Sequence, residues 1–277
     1  MKERLKKIYE IAKEFPDIGV YILLVFRILF LKSDLQYNKQ KLIKKIHILG
    51  NGPSSLSTFN GSKDDNDEVM CVNYFGLVKD FLYIKPKYYV LIDPVYFIDL
   101  HDKNLNLINM LNRVTWELIL IIPSKYIKNY DNLITNHHIL LQSIRMDYLP
   151  GNNKFVYYLY KHNLATPRFQ NVIIGCIYIA INKGFKNISL HGVEASEFKN
   201  FIVNIDNEIL LKTEHFYGQN SINLTKEGRL KKGEFWKQLS YYVTMFKEFN
   251  HVSKYAKHMD CQVHNHTNNS YIDVFEK

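Results

Sequence analysis

Short apolar runs rich in β-branched residues recur along residues 45–191, and each stops abruptly in residues that favour turns. Lys45-Ile-His-Ile-Leu49 runs into Gly50-Asn-Gly-Pro-Ser54. Val69-Met-Cys-Val-Asn73 is a short second run. Tyr88-Tyr-Val-Leu-Ile92 ends at Asp93-Pro94, Leu118-Ile-Leu-Ile-Ile122 at Pro123-Ser124, and Asn187-Ile-Ser-Leu-His191 at Gly192. Runs this brief and this continuous fit strands covered on both faces. Residues 171–182 read as a buried helix closed by Gly184. Strands alternating with helices imply an α/β fold with a mainly parallel sheet flanked by helices.

In such a sheet ligands bind beyond the carboxyl ends of the strands. The polar residues expected there are Asn51, Ser54, Asn73, Asp93, Ser124 and Glu194. Each one alone is an ordinary turn or cap residue. Together they share one rim, and a shared rim points to a site.

Residues 195–235 break the pattern: short charged stretches, Gly218, Gly228 and Gly233, and no long apolar period. They are expected to form a lid or a small inserted subdomain. Helical spacing returns over residues 235–257, with Trp236, Leu239, Tyr242, Val243, Phe246, Phe249 and Val252 on one stripe. A last strand, Cys261-Gln-Val-His264, follows.

The 277 residues suffice for one large domain, and the formal net charge of +9 favours anionic partners. There is no arginine-rich arm and no zinc-finger spacing, so nucleic acid is not the expected partner. The three cysteines, Cys71, Cys176 and Cys261, form no CxxC pair, which fits a reducing cytosol. Residues 1–44 form a basic, then apolar, helical segment ahead of the domain at 45–277. Its apolar run, 18–31, carries Arg27 and falls short of the roughly 20 residues a spanning helix needs. Two readings stay open: a helix packed on the domain or a partner chain, and an interfacial helix meeting anionic lipid. The expected location is cytoplasmic, with peripheral contact to the inner membrane.

The ordered motifs resemble a known family. Gly50-Asn-Gly-Pro-Ser54 follows the first strand, and Cys71-x-Asn73-x-Phe75 the second. Residues 184–192 carry Gly-Phe-Lys-x-Ile-x-Leu-x-Gly. His215-Phe-Tyr-Gly218 and Asn269-Ser270 come after. The set is similar to the bacterial sialyltransferases of glycosyltransferase family 42 and to related glycan-modifying transferases, over roughly residues 45–275. The resemblance implies a Rossmann-like, GT-A-type fold with a lid at about 195–235. It implies an inverting transfer of a sialic-acid-like sugar from a CMP-sugar to a cell-surface glycan or lipooligosaccharide, with no metal and no other cofactor. Homo-oligomers are common in the family.

The same resemblance implies the site. Gly50 and Gly52 let the backbone approach the nucleotide, Asn51 and Ser54 stand beside them, and the helix start after Pro53 favours a negative charge. Asn73 matches a donor-binding asparagine. Asp93 stands where the family has asparagine before proline. Gln170 and Asn171 stand where it has a serine that contacts the donor sugar. Asn269 and Ser270 match a pair at the nucleotide end. His215 matches the general base, because a group titrating near pH 6.5 can take a proton from a hydroxyl. One departure concerns the family's two phosphate-binding tyrosines. After Gly192, with Glu194 for the usual aspartate, their positions fall at Ser196 and Ile202. Tyr217, Lys199 and Lys212 are the candidates to hold the phosphate instead. A second function remains open: a Mg-dependent pyrophosphokinase, or a phosphoryl-linked group transferase, on a related fold, with Asp93 and Glu194 as ligands.

Overall fold

A computed structural model of the chain describes residues 42–60, 64–98, 100–215 and 218–277. The expected N-terminal helix lies outside the described residues. The strands are β1 (Leu42–Leu49), β2 (Glu68–Val72), β3 (Tyr88–Val90), β4 (Leu118–Pro123), β5 (Ile139–Ile144), β6 (Phe185–His191), β7 (Phe201–Val203), β8 (Ile209–His215), β9 (Gly218–Asn223) and β10 (Gln262–Asn265). The helices are α1 (Ser55–Phe59), α2 (Phe81–Ile84), α3 (Val95–Ile98), α4 (Asp102–Leu111), α5 (Ile127–Asp131), α6 (Lys154–Lys161), α7 (Val172–Asn182) and α8 (Phe235–His258).

A seven-stranded sheet runs in the order β10-β6-β1-β2-β3-β4-β5, and every pairing in it is parallel. This is the Rossmann-like α/β arrangement expected from the sequence. Side chains alternate across each strand, so each strand feeds two cores. Ile46, Ile48, Met70, Val72 and Val90 pack with the layer of α6, α7 and α8. Leu49, Val69, Cys71, Tyr89 and Leu120 pack with Phe59, Leu107 and Leu111 on the opposite face. Both faces being covered explains why the strands read as unbroken apolar runs.

α7 is buried from Ile173 to Asn182, as a helix apolar all round must be. Gly184, at φ +96°, follows its last turn and returns the chain to β6. A polar network ties α7 to its neighbours. Asn182 Nδ2 donates to Tyr160 O (2.9 Å) and Asn163 Oδ1 (2.9 Å), and Tyr255 Oη donates to Asn182 Oδ1 (2.6 Å).

One strand of the main sheet differs from the sequence expectation. β5 was not anticipated: it is an edge strand, its Leu140 is 64% exposed, and Gln142 and Ser143 interrupt its apolar pattern. The segment at 195–235 folds as a second sheet, antiparallel in the order β7-β8-β9. It has a small core of its own around Ile209, Leu224 and Leu230. Cys71, Cys176 and Cys261 are buried and unpaired.

Candidate functional site

The strand order fixes where a ligand can enter. From β1, strands β2 to β5 extend to one side, while β6 and β10 lie on the other. The loops leaving β1 and β6 therefore diverge, and a crevice opens between them. A cavity of about 680 Å³ lies there, lined by Gly50 to Pro53, Val72 to Tyr74, Tyr96, Asn171 to Ile173, Gly192 to Glu197, Lys199, Asn200, Asn269 and Tyr271.

Two backbones form its floor. Gly50 N donates to His191 O (2.8 Å), and Gly52 N to Gly192 O (3.0 Å). A Cβ on Gly50 would stand 2.4 Å from Gly192 O, and one on Gly52 would stand 1.5 Å from Glu194 Oε2. Gly192, at φ +64°, would place a Cβ 2.4 Å from that of Ser55. These contacts revise the expected reason for the glycines. Gly50 and Gly52 line the cavity, but their missing side chains make room for the β6 loop. The favourable position before α1 is also taken from within: Glu194 Oε1 accepts from Ser54 N at 2.9 Å. A protein carboxylate sits where the sequence reading put a ligand's charge.

Three residues of the wall carry buried, unpartnered acceptors. Asn51 Oδ1, Asn73 Oδ1 and Glu194 Oε2 are buried without a hydrogen-bond partner among the described residues. Buried polar atoms are paired as a rule, so three orphans in one cavity point to a ligand with several donors. Three wall residues also hold left-handed backbone: Asn73 (φ +51°), Ala195 (φ +52°) and Asn269 (φ +56°). Strain of this kind, about 1 kcal/mol or more for alanine, collects at binding sites. Asn73 is braced by Tyr89 Oη, which donates to Asn73 O and accepts from Gly76 N.

The remaining predicted residues divide. Asn171 lines the cavity, and its side chain caps α7 by accepting from Ile173 N (2.9 Å). The positive end of that helix dipole thus faces the cavity. Asn269 and Gly192 are on the wall. Ser54, Asp93, Gln170 and Ser270 are not. Asp93 Oδ1 accepts from Val95 N in an exposed turn. Gln170 O accepts from Tyr241 Oη. Ser270 Oγ donates to Val193 O (2.6 Å) and braces the β6 loop from outside. His215 ends β8 opposite Gly218; its side chain and Tyr217 lie outside the described residues. The pair that a Mg-dependent reading needs, Asp93 and Glu194, does not share the cavity. The triplet Asp65-Asn-Asp67 precedes β2, at the amino end of the sheet and away from the rim.

Sequence reasoning missed the aromatic part of the wall. Tyr74 meets Tyr96 edge to face, with centroids 5.0 Å apart, and Tyr74 Oη donates to Asn104 Oδ1. Burial first, then nearby Asp93, raises the Tyr74 hydroxyl above its usual pKa. Tyr74 follows Asn73 directly and Tyr271 follows Ser270, so adjacency to rim residues was the available signal.

A chain of histidines lies behind the β6 loop. His47 Nε2 meets Asp67 Oδ2 (3.0 Å), His47 Nδ1 meets His191 Nε2 (3.0 Å), and His191 Nδ1 meets Thr58 Oγ1 (3.2 Å). His266 stacks on His191 at 5.1 Å. Burial, then His47 and His266, pushes His191 down to about 3, so it is neutral. Burial alone would raise Asp67. The His47 hydrogen bond and the Asp64 backbone outweigh it and hold the carboxyl below its usual value.

Neither a protein-family model nor a characterised protein matches the chain by sequence. Solved structures do share its fold. The MAf glycosyltransferase of Magnetospirillum magneticum AMB-1 superposes with a TM-score of 0.50 at 12% identity, over 88% of this chain and 35% of that one. This chain thus spans about a third of that protein's length. The Campylobacter jejuni sialyltransferase CstII, solved with a substrate analogue, cytidine-5'-monophosphate, gives a TM-score of 0.46 at 14% identity over 86% of this chain and 85% of its own. The monofunctional α-2,3-sialyltransferase Cst-I from the same organism gives 0.46 at 12% identity, over 87% and 83%.

Proposed function

We propose that the protein is an inverting glycosyltransferase that moves a sialic-acid-like sugar from a CMP-sugar to a hydroxyl of a cell-surface glycan or lipooligosaccharide. The observation that carries this reading is the cavity between the β1 and β6 loops, with the buried, unpartnered acceptors of Asn51, Asn73 and Glu194. A nucleotide sugar offers the matching donors: ribose hydroxyls, a base amino group and sugar hydroxyls. The fold shared with a bacterial glycosyltransferase supports the same class.

In this reading the bond from the sugar's anomeric carbon to the phosphate oxygen breaks, and its electron pair stays on the phosphate. The acceptor oxygen attacks from the opposite face, so the configuration inverts. His215 takes the proton that the acceptor hydroxyl loses. No metal takes part. Residues 195–235 act as the lid, and residues 1–44 bring the enzyme to the inner membrane, where a glycolipid acceptor is met.

The test is release of CMP from CMP-sialic acid in the presence of a chelator. Turnover is expected, and His215→Ala should lower it about 100-fold or more while CMP still binds. Full turnover by that variant would remove His215 as the base. Turnover that requires added Mg²⁺ would contradict the metal-free mechanism.

A further inference from the structure

We propose that Lys199, seated on the ring of Tyr271, holds the phosphate of the bound nucleotide. This assignment rests on the nucleotide-sugar reading of the cavity and names the group that its anionic end meets.

The wall has a marked polarity. Among the described residues Lys199 is its only cation, set against the carboxylates of Glu194 and Glu197. Asn51 Oδ1, Asn73 Oδ1 and Glu194 Oε2 are acceptors, and acceptors repel a phosphate oxygen. They suit the hydroxyl- and amino-bearing parts of a nucleotide sugar. The full positive charge that a phosphate favours stands at the Lys199 end.

Lys199 is prepared for that contact. It stands on a 3₁₀ turn, Glu197–Asn200, that directly follows the β6 loop. The turn is anchored by Phe198, whose ring meets Tyr271 at 5.0 Å, Tyr242 at 6.0 Å and Phe246 at 6.1 Å. Tyr271 is fixed in turn by its backbone N–H, which donates to Glu194 O (2.9 Å). Lys199 Nζ lies 4.4 Å from the Tyr271 ring centroid. A ring face steadies an ammonium without neutralising it. Lys199 makes no ion pair among the described residues, so its charge is available to a ligand.

The chemistry uses that charge unevenly. A phosphodiester in the donor carries one negative charge. Once the carbon–oxygen bond breaks and the electron pair stays on oxygen, the released phosphomonoester carries about −1.5 to −2 at pH 7. A fixed cation there stabilises departure more than it stabilises bound donor.

The experiment titrates cytidine and CMP into the wild-type protein, Lys199→Ala and Lys199→Arg by calorimetry. Lys199→Ala should weaken CMP about tenfold, the scale of one charge-assisted hydrogen bond, and leave cytidine unchanged. Lys199→Arg should recover most of the CMP affinity. Equal CMP affinity in wild type and Lys199→Ala would overturn this assignment alone. An equal loss for cytidine and CMP would overturn it too, since Lys199 would then act through the fold. A wild-type protein that binds neither ligand would overturn the nucleotide reading and this assignment with it.

Discussion

His191 closes β6 one residue before the cavity, and hydrogen-bond counting assigns the proton on its ring. The Thr58 hydroxyl donates to Ser54 O (2.9 Å), so its oxygen accepts from His191 Nδ1–H. His191 Nε2 is then an acceptor and faces His47 Nδ1, while His47 Nε2 meets Asp67 Oδ2. The pH dependence follows with a definite sign. The folded pKa of His191, about 3, lies below the unfolded value near 6.5. Its contribution is whole above pH 6.5 and is lost as pH falls toward 3, at about 1.4 kcal/mol per pH unit. Asp67 acts in the same direction, since its carboxyl is also held down. Unfolding free energies measured between pH 7 and 4.5 should therefore fall with acid, and His191→Asn should flatten that slope by about one proton. A slope unchanged in the variant would place the proton uptake elsewhere. At the same scale, Asn51, Asn73 and Glu194 were legible as residues of the cavity wall because strand ends locate them without knowledge of any partner. Asp93, Ser54 and Ser270 share the rim pattern but serve turns and loop braces. Only the three-dimensional partners of each side chain tell the two groups apart.

α6, α7 and α8 act as one layer because a buried polar network joins them. Asn182→Ala removes the bonds to Tyr160 O, Asn163 Oδ1 and Tyr255 Oη. The expected loss is about 3 kcal/mol, read as a lower urea midpoint with an unchanged m-value. A loss below about 1 kcal/mol would show that water replaces the network. Much of this layer was legible in the sequence. Residues 171–182 form an apolar block of helical length, and residues 235–257 keep an apolar stripe. β1 to β4 and β6 were legible for a related reason, since burial on both faces leaves continuous apolar runs. β5 escaped because an edge strand keeps one side toward solvent. The strands of the β7-β8-β9 sheet escaped because its core, around Ile209, Leu224 and Leu230, is too small to impose a period.

The whole molecule joins a parallel sheet, whose reversal at β1 and β6 opens the cavity, to a small antiparallel sheet inserted between β6 and α8. The chain thus follows the cavity from Gly192 to Asn200, builds the insertion, and returns through α8 to β10 beside β6. Asn269 and Tyr271, just past β10, complete the wall. Among the described residues no helix is long and apolar enough to cross a membrane. The formal charge of +9 suits a molecule that collects anionic ligands and acceptors. The central claim is that this cavity takes a cytidine nucleotide without a metal. A ligand that binds only the folded state raises the apparent melting temperature. The most direct measurement is therefore a thermal-shift panel of CMP, CDP, UDP, GDP and ATP, each with and without Mg²⁺. Stabilisation by CMP or CDP without metal is the predicted result. Stabilisation by ATP or UDP alone, and only with Mg²⁺, would contradict the account.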